Sequence, residues 1–185
     1  FSDHYLEVPY DAGKDANGRK GMLVVNWLLD EPQTAESRLA LSILGYVLVG
    51  TSASPLRKTL IDSGLGEDLA GVGVEGDLRQ WYFSTGMKGV ADGSGAEHAN
   101  FERLENLIHS TLSELAENGI DPETVAAALN TIEFRLRENN TGSFPRGLLL
   151  MLRALTTWLY DGDPLSPLSF DAPLAALKAR IAAGE

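Results

Sequence analysis

The feature that most constrains this chain is the densely punctuated stretch at residues 50–66, GTSASPLRKTLIDSGLG. It begins where a long apolar run ends and stops where a glycine-spaced run begins. Ser54 is placed to cap a helix, because its hydroxyl can accept from an orphan backbone N–H. Pro55 follows at the first helical position, where a missing N–H costs nothing. Leu56, Leu60 and Ile61 supply one apolar face, and Gly64 offers a left-handed C-terminal cap. The stretch predicts a short helix clamped between two larger elements.

The flanking chain supplies those elements. Residues 5–8 alternate weakly and predict a short edge strand, with Pro9 tolerable at its end. Residues 11–21, DAGKDANGRKG, are polar and glycine-rich and predict a loop. Residues 22–29, MLVVNWLL, form a continuous apolar run that suits a buried strand, in which Asn26 would need a partner. Residues 34–49 predict a helix that is apolar over most of its circumference, and so one that lies in the core.

After the central stretch, residues 69–75, LAGVGVE, predict a strand whose glycines bend it or bring it close to another backbone. Residues 80–90, QWYFSTGMKGV, alternate around aromatic residues and predict a second strand. A long amphipathic helix runs from about Phe101 to Gly119. Asp121-Pro122 starts another, with Val125, Leu129, Ile132 and Leu136 as its stripe. Residues 139–142 break it, residues 144–160 predict a third helix, and residues 161–164 predict a turn. Residues 172–183 predict a terminal helix. This order favours an α+β fold, a mostly antiparallel sheet with helices packed on one face, as one domain over residues 1–185.

Charge and composition narrow the function. The net charge is −11, from 26 acidic and 15 basic residues. Nucleic acid and anionic membrane surfaces call for a basic footprint and are disfavoured as partners. There is no cysteine, which excludes disulfides and thiolate metal sites. The longest apolar runs are too short to span a bilayer. The first residues carry neither an initiator Met nor the order of a signal peptide, which suggests a piece of a longer protein.

The histidines are His4, His98 and His109, and none lies in H-E-x-x-H or H-x-x-E-H. His98 and His109 would stand about 16 Å apart along one helix, too far to ligate one metal. Residues 71–76, GVGVEG, match G-x-G-x-x-G, but a helix precedes them and a strand follows, the wrong context for a dinucleotide fingerprint. Asn139-Asn140-Thr141 is a glycosylation sequon without a secretory context, so it reads as an ordinary loop. Ser52, Ser54 and Ser63 have no adjacent histidine and no nucleophile elbow. Glu114/Glu117 and Glu133/Glu138 read as solvated helix exteriors. Arg57 and Lys58, beside a glycine-rich segment, invite a phosphate-binding reading. Their place in a capped helix favours a structural one. No residue stands out as catalytic, cofactor-binding or metal-ligating.

Several stretches taken together carry a resemblance. GTSASPLRKTLIDSGLGEDL, WYFSTGMKGV, IEFRLRE and FPRGLLLMLRALTTWLYDGDP recur in this order in presequence proteases. These are large zinc metallopeptidases of the insulinase/pitrilysin clan. The similarity covers nearly the whole chain from about His4. It implies the second, non-zinc domain of the N-terminal half, in a protein whose two halves close around a chamber. The zinc motif H-x-x-E-H belongs to the preceding domain, and an arginine and a tyrosine of the C-terminal half complete that site. No catalytic residue transfers to any position here.

The implied role is to wall the chamber, to pack against the catalytic domain and the C-terminal half, and to hold unfolded peptides within reach of zinc. Candidates for exposed apolar surface for such packing are the strand at residues 80–90 and the helix at residues 144–160, with the core as the alternative place for both. The implied compartment is the cytoplasm in a bacterium or an organelle matrix in a eukaryote. The rival reading is a scaffold or assembly module of the same fold without catalysis. A third is an independent small enzyme with an unfamiliar site.

Overall fold

The fold was analysed in a computed structural model, which describes residues 4–11, 13, 20–32, 34–91 and 97–184, without the side chains of residues 97 and 98. Three strands, β1 (Gly21–Leu28), β2 (Asp68–Glu75) and β3 (Tyr82–Val90), form an antiparallel sheet in the order β1-β3-β2. The helices are α1 (Ala35–Val49), α2 (Pro55–Asp62), α3 (Glu97–Asn118), α4 (Pro122–Glu138), α5 (Arg146–Trp158) and α6 (Asp171–Ala183). A short 3-10 turn, η1 (Ser166–Leu168), lies between the last two. This is the expected α+β class.

Sequence chemistry accounts for most element ends. Thr34 caps α1 in a reciprocal box with Ser37. Asp121 accepts from the Thr124 backbone N–H at 2.9 Å and starts α4, with Pro122 in its first turn. Asn139 ends α4 in the left-handed region at φ 45°. Gly64, at φ 64°, follows α2 in the same conformation.

Two apolar clusters hold the molecule. One sets Leu48, Leu56, Leu60, Leu104 and Ile108 of the first three helices against Phe83 and Met87 of β3. The other sets Ile43 and Val47 of α1 against Leu129 of α4 and Leu174 and Leu177 of α6. Helix α1 belongs to both, which explains its apolar residues on more than one side.

Two expectations are corrected and one alternative is decided. Residues 5–8 form no strand and are exposed. They have short apolar content but no neighbouring strand to pair with among the described residues. The run MLVVNWLL is an edge strand covered on one face only. Leu23, Val25 and Trp27 pack into the first cluster, while Met22, Asn26 and Leu28 are exposed. A half-covered strand therefore lies under a pattern that suits one covered on both faces, and Asn26 is solvated. Finally, of the two candidates for exposed apolar surface, β3 takes the core alternative. It is the central strand and its residues are buried except Tyr82, which is half-buried, and Lys88. Of the residues expected as a loop at 11–21, 12 and 14–19 lie outside the described residues, Asp11, Gly13 and Lys20 are in neither helix nor strand, and Gly21 opens β1.

Candidate functional site

A groove lies between α1 and β2. Residues Ser42, Gly45, Tyr46, Val49 and Gly50 present one helical face to it, and residues 68–74 of β2 form the opposite wall. The groove encloses about 420 Å³.

Its shape comes from glycine. The register of β2 against β3 shifts between Ala70 and Gly73, a bulge with one extra residue on β2. Gly71 sits at φ 90°, and a Cβ there would stand 2.8 Å from the Ser84 carbonyl carbon and oxygen. The bulge leaves the Val72 N–H without a strand partner, and the Ser84 hydroxyl accepts it at 2.9 Å. The G-x-G-x-x-G run is thus bent strand, packed backbone on backbone. Thr85 borders the same groove, and its buried hydroxyl has no hydrogen-bond partner among the described residues.

Charge gathers at one end. The Asp68 carboxylate lies 3.6 Å from Arg57 of α2 and 3.4 Å from Lys88 of β3. The Leu69 backbone N–H and the Lys88 ammonium hold the Asp68 carboxyl below the usual carboxylate range. Arg57 is thereby engaged in joining α2 to the sheet. Lys58 pairs with Asp62 at 2.6 Å along the exposed side of α2, and that hydrogen bond raises its pKa. Neither cation is presented as part of an anion cradle.

The other residues singled out from the sequence are dispersed. Ser54 is buried and does not cap α2, a correction to its expected role. Its Oγ accepts from the Thr51 N–H at 3.0 Å and donates to the Tyr46 carbonyl at 3.2 Å. Ser63 donates to the Leu60 carbonyl at 2.6 Å. His109 stacks edge-on against Trp27, with ring centroids 5.6 Å apart. The His98 side chain lies outside the described residues. Glu114, Glu117 and Glu138 are exposed, as the solvated reading requires.

Glu133 departs from that reading. It accepts from Lys178 of α6 and, at 2.9 Å, from Arg137. Those two cations lower its pKa, the Lys178 hydrogen bond most. The pattern on α4 could show the Arg137 pairing at i+4 but not Lys178, which is 45 residues away.

Among the described residues, no three His, Cys, Asp or Glu side chains gather as metal ligands. Among the same residues, no helix is long and apolar enough to cross a membrane. What this arrangement offers is a glycine-contoured surface and a set of interhelical ties.

Comparisons with known proteins agree with that character. Residues 6–132 match the family described as Peptidase M16 inactive domain. The chain is 51% identical to presequence protease 1, chloroplastic/mitochondrial, of Arabidopsis thaliana, over 94% of this chain and 16% of that protein. It is 35% identical to Protein HypA of Clostridium perfringens, over 88% of this chain and 16% of that protein. It is 32% identical to the mitochondrial presequence protease of Xenopus laevis, over 80% of this chain and 14% of that protein. The relatives support a scaffold domain of a peptidase family. The chain belongs to the Peptidase M16 inactive-domain family, with presequence-protease-like relatives. It spans about 16% of the length of the first relatives it matches.

Proposed function

We propose that residues 1–185 form a single non-catalytic domain of a longer zinc-dependent metalloendopeptidase that degrades unfolded peptides in a closed chamber. The observation that carries this reading is the 51% identity, over 94% of the chain, to a protein named a presequence protease. In this reading the domain walls the chamber and packs against the catalytic domain and the C-terminal half of the same polypeptide. Zinc and the residues that use it belong to another part of that polypeptide. The compartment is an organelle matrix in a eukaryote, supported by the chloroplastic and mitochondrial relatives, and the cytoplasm in a bacterium.

A peptidase assay on the full-length protein and on this chain alone, each with and without a zinc chelator, tests the reading. Cleavage that the chelator abolishes is expected from the full-length protein only. Chelator-sensitive cleavage by the isolated chain would overturn the non-catalytic assignment. A full-length protein without peptidase activity, and without H-x-x-E-H upstream of this domain, would establish the rival scaffold module instead.

A further inference from the structure

We draw no further inference here: the strongest candidate, the apolar stripe of Leu148, Met151 and Leu152 exposed on the outward face of α5, carries nothing, because packing against the rest of a longer polypeptide is already part of the proposed function and nothing in the structure shows what covers it.

Discussion

The Ser54 hydroxyl donates to the carbonyl of Tyr46, 3.2 Å away and one helix earlier in the chain. It also accepts from the Thr51 N–H. A side chain placed to start α2 instead closes the turn between α1 and α2 and satisfies a carbonyl at the end of α1. Ser54→Ala should therefore destabilise the protein by about 1 to 2 kcal/mol, because it leaves a part-buried N–H and a carbonyl less satisfied. Denaturant midpoints at constant slope check this. An unchanged midpoint would mean that water replaces the hydroxyl.

Leu56 and Leu60 are fully buried, while Ile61 on the same helix is 40% exposed. Leu60→Ala should cost about 2 to 5 kcal/mol, as for other large-to-small changes in a core. Ile61→Ala should cost much less. Equal losses at the two positions would show that the helix packs on a wider face than its burial indicates.

Two glycines with positive φ should differ in tolerance. Gly64 has open space where a Cβ would stand, so Gly64→Ala carries only the strain of left-handed backbone, about 1 kcal/mol. Gly71 carries the same kind of strain, and a Cβ there meets the backbone of Ser84 and Thr85 at 2.8 Å. Gly71→Ala should cost several-fold more and loosen the β2 bulge, visible as faster exchange of the Val72 amide. Losses of stability at Gly64 should precede any loss of activity in the full-length protein. Unchanged stability with abolished activity would make this turn a functional loop.

The carboxyl of Glu133 titrates below its ordinary value of 4.5 because Lys178 and Arg137 bind its charged form. A depressed carboxylate stabilises the fold above its unfolded pKa, and that contribution is lost as pH falls through the folded value. Glu133→Gln should thus lower Tm near neutral pH, and its difference from the unsubstituted protein should shrink between about pH 5 and pH 3. A difference independent of pH would assign the loss to packing between α4 and α6.

The acidic balance of the chain should steer basic peptides toward the complete protein over long range. Degradation of basic peptides should then slow between about 50 and 500 mM salt, since screening shortens the reach of the field. Equal rates at the two ionic strengths would remove steering from the proposed role.

Much of the fold was legible because it depends on neighbours in sequence. Thr34, Asp121 and Pro55 mark helix starts, and Gly64 and Asn139 mark ends, through backbone geometry that a few residues decide. The glycine spacing of β2 pointed to a bent strand lying close to another backbone, and the bulge against Ser84 is that bend. The groove beside it was not legible, since Gly45 and Tyr46 meet Gly71 and Val72 only after α1 docks on the sheet. Periodicity placed an apolar face on α5 but could not say which way it points.

The sequence by itself determined the order of the main elements, most of their ends, the acidic charge and the family resemblance. Tertiary structure alone decided that β1 is an edge strand and β3 the centre, and that α1 is shared by two clusters. It also sent Ser54 back to Tyr46, drew Glu133 to Lys178 across helices, and turned the stripe of α5 outward. The physical reason is one of range. Caps, turns and periodicity are set by interactions within a few residues. Which face is covered is set by burial against chain that is distant in sequence, and a local pattern carries no record of that partner.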